Sequence, residues 1–165
     1  MVDNETRGRD AAISGFAHEH IVAGILMKRY GNVSLVDLPL SPYDIIVVFK
    51  TEQGEDIIRA QIKTAQKSVS FTGGGRGGVD REYVSDIKVY KQSTKTCDMV
   101  IGVHPNEDNS HDLYFVPTTL IEYLSQKNIS LSKIQTLKNK YDILERCKDS
   151  SYIITYCKEN GILPS

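Results

Sequence analysis

The chain lacks most of the features that place a protein in a class at a glance. No apolar run approaches the roughly 18 residues of a membrane-crossing helix, so no membrane partner is expected. Residues 1–10 are polar and carry both signs of charge, unlike a secretory leader. Cysteine is scarce. Cys97, Cys147 and Cys157 are an odd set without CxxC spacing, which argues against a disulfide framework or a zinc ribbon and fits a reducing cytoplasmic setting. Net charge is nearly absent, −1 over 165 residues, so nothing global marks a polyanion binder. No repeat or linker marks a second domain. A content of 40% hydrophobic and 25% charged residues is ordinary for a globular chain long enough to bury a core.

What is present centres on Tyr43 to Ala65, YDIIVVFKTEQGEDIIRAQIKTA. Ile45 to Phe49 is a β-branched-rich run, Lys50 to Asp56 is a polar turn containing Gly54, and Ile57 to Lys63 alternates. This predicts a hairpin. In its second strand Ile58, Ala60 and Ile62 fall on one face, with Arg59, Gln61 and Lys63 on the other. The latter face reads as solvent-exposed, and Asp44 stands at the mouth of the first strand.

Around the hairpin, residues 1–10 are expected to be disordered. A helix over Ile13–Tyr30, capped by Ser14 and closed by Gly31, has a nearly all-apolar middle and is expected to be well buried. Glu19 lies on its stripe with Phe16, Ala23, Leu26 and Tyr30. It either reaches water or an arginine at the rim, or points towards Asp44 and Lys63. Val33–Val36 can form a short strand. Gly73 to Gly78 holds five glycines in six residues; without a Gly-Lys-Ser/Thr ending it is a loop rather than a P-loop, either a plain surface loop or one that orders on a polyanion. Tyr83–Lys95 is extended or helical. Asp98–His104 and Asp112–Pro117 form a second hairpin. Three helices follow: Leu120–Lys127 capped by Thr118 or Thr119, a longer one through Ile134, Leu137, Tyr141 and Leu144, and Tyr152–Asn160 capped by Asp149 or Ser150. The order is that of an α+β fold with a mixed sheet flanked by helices.

Charge is local rather than global. From Arg59 to Lys95 the bases are Arg59, Lys63, Lys67, Arg76, Arg81, Lys88, Lys91 and Lys95, against Asp80, Glu82 and Asp86. That window is either a solvated basic face or a surface that follows a phosphate backbone. His18-Glu19-His20 lacks the spacing of a zinc protease, and His104 and His111 flank a turn where surface histidines are usual. Tyr83, Tyr90 and Tyr114 are candidates for base stacking or for packing. Asp44, Gln61 and the carbonyl of Ile62 are the oxygen donors that a hard divalent cation takes, and Lys63 can orient water or neutralise phosphate.

The order Glu19, Pro42-Tyr43-Asp44, then Gln61-Ile62-Lys63 resembles the PD-(D/E)XK nuclease superfamily. The likeness is greatest to the branch of group I intron-associated homing endonucleases with Gln in place of the acid. It extends through Tyr43–Val47, Gln61-Ile62-Lys63-Thr64-Ala65, the strand from Asp98 to Val103 and Leu113–Pro117. The resemblance implies an α/β/α sandwich with a restriction-endonuclease-like core over residues 11–120 and a C-terminal helical extension of the same domain over 121–165. It implies Mg²⁺-dependent hydrolysis of DNA phosphodiesters, with Mn²⁺ able to substitute. Asp44 would be the principal ligand, Gln61 would stand where the usual acid sits, Lys63 would be the catalytic lysine and Glu19 the accessory acid. The metal set would be Asp44, Gln61, Ile62 and Glu19. Gln61 removes a charge, so a Gln61→Glu change is expected to keep or gain metal binding. Arg59, Lys67, Arg76 and Arg81 are the candidate DNA contacts, with Gln66 beside Lys67. The expected partners are double-stranded DNA and further copies of the chain, as a homodimer or higher even assembly. The alternatives are a catalytically degenerate nucleic-acid-binding module and a Holliday-junction-type nuclease.

Overall fold

The computed structural model of the protein describes residues 4–74 and 89–165. Arg76, Arg81 and Tyr83, with the glycine-rich run from Gly75 onward, lie outside the described residues. Helix α1 spans Asn4–Tyr30. Residues 4–10 are therefore helical rather than disordered, and Ser14 lies inside the helix instead of capping it. Residues 6–13 contain no proline, so nothing stops the backbone ladder from continuing through them. The C-terminal end is as expected: Gly31 takes φ 78° and its N–H donates to the Met27 carbonyl.

Six of the seven residues from Ile21 to Met27 are apolar, but only one stripe of the helix is covered. Val22, Ala23 and Leu26 are buried, whereas Ile13, Phe16 and Met27 stand largely in solvent. A helix lying on a sheet buries one face, and apolar content does not change that geometry.

The strands then run β1 (Val33–Leu35), β2 (Ile45–Thr51), β3 (Gly54–Thr64), β4 (Ser68–Ser70), β5 (Thr72–Gly73), β6 (Tyr90–Lys91), β7 (Met99–Pro105) and β8 (His111–Pro117). Helix α2 (Thr118–Tyr123), β9 (Asn128–Ser130), a 3₁₀ segment (Leu131–Leu137), α3 (Tyr141–Glu145) and α4 (Ser150–Glu159) complete the elements among the described residues. Both expected hairpins form, β2–β3 and β7–β8. They join through a parallel pairing of β3 with β7, giving a mixed five-stranded sheet in the order β1-β2-β3-β7-β8. Helices flank this sheet. Two small ladders, β4–β9 and β5–β6, lie outside it.

The C-terminal region departs from three regular helices. α2 begins after Pro117 with no side-chain cap, because Thr118 and Thr119 turn inward to the carbonyls of Cys97 and Cys147. The longer helix is replaced by β9, a 3₁₀ segment interrupted at Ile134, and the short α3. Only α4 starts as read, with the Asp149 side chain accepting from the Tyr152 N–H. One buried cluster extends from Val22 through the sheet to Leu163, so these segments share the core of the sheet. Among the described residues no helix is long and apolar enough to cross a membrane.

β3 sits in the middle of the sheet, and this corrects the reading of its second face. Gln61 is 8% exposed rather than solvated. Its strand is flanked by β2 and β7, and the chain from Ala65 onward folds back over the sheet. Gly102, the register partner of Lys63, permits that return. A Cβ at Gly102 would lie 2.5 Å from Val69 Cγ2 and 3.3 Å from Ala65 Cβ. Gly102→Ala should therefore destabilise the protein by roughly 1–3 kcal/mol, the usual range for overpacking. In a domain of this size Tm falls by about 2–4 °C per kcal/mol. An unchanged thermal melt would show that the approach of Val69 is not required.

Candidate active site

The site begins where β2 stops pairing with β3. The antiparallel register runs from Thr51↔Gly54 to Ile45↔Ala60. One residue further, Asp44 is fixed three ways. Its N–H donates to the Ala60 carbonyl at 2.9 Å, its carbonyl accepts from the Val36 N–H at 2.8 Å, and its Oδ2 accepts from the Ile62 N–H at 2.7 Å. The carboxylate thus replaces a backbone partner on the β2 side of β3. In a strand the N–H and C=O of one residue point to the same side. The Ile62 carbonyl therefore faces the side from which Asp44 approaches.

Gln61 points to the opposite face of β3 from Ile62. Its Oε1 accepts from Gln92 Nε2 at 2.8 Å, and the same nitrogen donates to the Pro42 carbonyl at 2.9 Å. Gln92 is 1% exposed, and its Oε1 accepts from the Thr96 hydroxyl. Its backbone N–H donates to the Phe71 carbonyl. This buried amide ties the segment entering β2, the centre of β3 and the segment entering β7 together.

Electrostatics links three elements through Asp44. Burial raises the Asp44 carboxyl above its ordinary 3.8, while the Ile62 N–H and the Lys63 charge pull it back. Burial also raises Glu19, and the Asp44 charge raises it further, against a smaller opposing effect of His20. Burial lowers Lys63, and Asp44 works against that. Tyr90 on β6 is raised by burial and then by the charges of Cys97 and Asp44. The Asp44 charge at the mouth of β2 is therefore felt by Glu19 on α1 and by Lys63 at the end of β3. Glu19 also lines a hollow of about 220 Å³ with Phe16, His20, Leu35, Val36 and Asp37.

The basic window is partly used inside the fold. Arg59 makes a two-pronged pair with Asp98, Nε to Oδ2 and Nη2 to Oδ1, each 3.0 Å, and also donates to the Thr94 carbonyl. The Asp98 carboxylate in turn accepts the Arg59 backbone N–H, and the Tyr43 ring lies 5.9 Å from the guanidinium. Lys91 donates to the Leu124 carbonyl. Lys67 and Lys95 are exposed, as is Gln66. Tyr114 is buried and accepts from Gln135 at its hydroxyl, so it packs rather than stacking on a base.

Two residues escaped the sequence reading. Gln92 stands in a segment whose conformation no periodicity fixed, and nothing in its spacing marks it. His18 did carry a signal, because helical spacing puts it on the stripe with Val22 and Leu26. It is buried, and its Nδ1 lies 2.8 Å from Thr64 Oγ1, docking α1 on the end of β3. Its ring meets that of His111 edge-on at 5.5 Å. Burial and then His111 lower its pKa, which favours the neutral ring. His104 and His111 are half-buried rather than on the surface, and His104 Nδ1 lies 2.9 Å from the Ala65 carbonyl.

The solved structure of a bacterial homing endonuclease, I-Ssp6803I, matches over 73% of this chain and 76% of its own, with a TM-score of 0.53 and 15% sequence identity. The chain has a nuclease-like fold. No protein-family model and no curated protein matches the sequence. At this identity the likeness carries the arrangement of sheet and helices, not the identity of the site residues.

Two consequences are measurable. The ionised Asp44 is disfavoured in the folded state, because its folded pKa lies above the unfolded one. The penalty is fully present above the folded pKa and absent below 3.8. Asp44→Asn retains an acceptor for the Ile62 N–H, so it should melt above the wild type at pH 8, with the gap closing as pH falls towards the ordinary carboxylate range. A variant that melts lower at pH 8 would contradict this. Gln92→Leu strands the buried Gln61 oxygen and removes the donor to the Pro42 carbonyl, and should cost about 1–3 kcal/mol in denaturant unfolding. A change within the error of the measurement would show that the buried amide does not hold these segments together.

Proposed function

We propose that the protein is a DNA endonuclease that hydrolyses phosphodiester bonds with a divalent cation, Mg²⁺ or Mn²⁺, at the end of β3. The observation that carries this reading is an Asp44 carboxylate fixed on the Ile62 N–H at the end of β3, with its charge felt by Glu19 on α1 and by Lys63 on β3, in a fold shared with a homing endonuclease.

The residues suit a hard cation. Among the described residues no cluster of three or more His, Cys, Asp and Glu is placed to hold a metal. The candidate donors are instead two carboxylates, Asp44 and Glu19, with the Ile62 carbonyl on the Asp44 side of β3. Both carboxylates are buried enough that their negative charge is disfavoured, and the charge of Asp44 adds to the penalty on Glu19. A divalent cation relieves such a pair, and oxygen donors are what Mg²⁺ takes. When bound, it would supply Lewis-acid polarisation of the phosphodiester and a lowered pKa for water.

The remaining chemistry belongs to the chain. Asp44 is held by its backbone and by Ile62, so its carboxylate needs no reorganisation. Lys63 neutralises charge building on the phosphate, and its lowered pKa eases proton exchange with the attacking water. Gln61 shares the strand face of Lys63 and is fixed by Gln92. Double-stranded DNA is the partner this reading calls for, with the exposed Lys67 and Lys95, and Arg76 and Arg81 in the same stretch of sequence, as candidate contacts. Cutting both strands calls for two sites and hence a homodimer or a higher even assembly.

The test is cleavage of supercoiled plasmid with Mg²⁺ and with Mn²⁺. Wild type should nick or linearise it, and Asp44→Ala and Lys63→Ala should each reduce the rate by about 10²–10³-fold or more, the scale of removing one preorganised charge-stabilising group. Cleavage should weaken as pH falls through the raised Asp44 and Glu19 pKa values, because both carboxylates must be ionised. Absence of cleavage by wild type with either ion, on duplex, branched and single-stranded DNA, would leave a module that binds nucleic acid without cutting.

A further inference from the structure

Gln61 stands where the resemblance places an acid, and its role depends on which end of its amide faces the site. The hydrogen bonds settle the orientation. The Pro42 carbonyl can only accept, so the end of Gln92 that meets it at 2.9 Å is Nε2. The other end, Oε1, accepts from the Thr96 hydroxyl, consistent with that assignment. Gln92 Nε2 meets Gln61 at 2.8 Å, so the atom of Gln61 it meets is the acceptor, Oε1. Gln92 is 1% exposed, so the Gln61 oxygen is drawn towards the interior.

The nitrogen is the end left over. Gln61 Nε2 makes no hydrogen bond among the described residues, and no buried side-chain nitrogen or oxygen there lacks a partner. An unpaired Nε2 is consistent with those facts only if water reaches it. Lys63, two residues on, projects from the same face of β3. The face therefore carries an amide N–H₂ and an ammonium, both donors.

We propose that Gln61 serves the site as a hydrogen-bond donor to a phosphate oxygen of the DNA, not as a metal ligand, with Gln92 as the positioning residue that fixes its amide in that sense. This rests on the endonuclease reading and refines it. The cation is left to Asp44, Glu19 and the Ile62 carbonyl. It also departs from the expectation that Gln61 occupies the acid's place in the metal set. An N–H₂ turned towards a cation opposes binding, whereas the same group turned towards a phosphate oxygen makes a charge-assisted hydrogen bond.

Calorimetric titration of the full chain with Mn²⁺, without DNA, reads the metal role. Gln61→Ala should bind Mn²⁺ within about twofold of wild type, while its plasmid cleavage rate falls about tenfold or more at an unchanged half-saturating metal concentration, as loss of a hydrogen bond to a charged group requires. A Mn²⁺ affinity weakened tenfold, or a half-saturating concentration raised to match, overturns the proposal. A second measurement uses wild type alone: the side-chain N–H₂ resonance of Gln61, followed by NMR on adding a short DNA duplex in EDTA. It should shift with DNA, and an unmoved resonance overturns the proposal even if Gln61→Ala does not fold. A wild type that cuts nothing defeats the endonuclease reading and leaves the calorimetric and NMR results to judge Gln61 separately.

Discussion

The hydrogen bond from the Ile62 N–H to Asp44 Oδ2, 2.7 Å long, is the contact on which the rest of the site depends. β3 continues after its backbone pairing with β2 ends, and an interior strand cannot leave a buried N–H unpaired without cost. The carboxylate fills that vacancy. In doing so it fixes itself at the junction of β2 and β3, beneath α1 and beside Lys63. The fold needs an acceptor here for a backbone group, and the proposed site would use the charge of the same side chain.

That double use has an electrostatic consequence. Burial acts against the charged form at each of the three groups, raising Asp44 and Glu19 and lowering Lys63. Mutual attraction between Asp44 and Lys63 only partly offsets it. A cluster poised in this way favours whatever brings charge to it, and a divalent cation with a phosphodiester brings both signs. Structural ion pairs in the same protein look different. Arg59 and Asp98 satisfy each other directly through paired 3.0 Å contacts.

How far the sequence could be read varied with the source of each signal. Both hairpins were legible, because β-branched alternation and polar turns are local properties. So was the end of α1 at Gly31, where only a residue tolerant of positive φ closes the helix cleanly. Asp44 and Lys63 stand out as candidates because strand periodicity and motif spacing coincide. The parallel pairing of β3 with β7 was not legible, nor was the packing of Gln92 against Gln61 that helps bury it, since no local pattern shows that a hairpin will become the centre of a larger sheet. Gln92 was invisible for the same reason: its importance comes from contacts with Pro42, Gln61 and Thr96 made across the fold. The C-terminal segment misled in the other direction. Its helical spacing is real, but inward-facing Thr118 and Thr119 and the β4–β9 ladder break it into short pieces.

The central claim is that Asp44 organises a divalent-cation site at the end of β3. Anomalous diffraction from crystals of the full chain soaked in Mn²⁺ tests it most directly. The account predicts a manganese peak against the Asp44 carboxylate, on the side shared by the Ile62 carbonyl and Glu19. A peak only elsewhere, for instance among the acids of the β2–β3 turn at Glu52, Glu55 and Asp56, or no peak at saturating Mn²⁺, would contradict it.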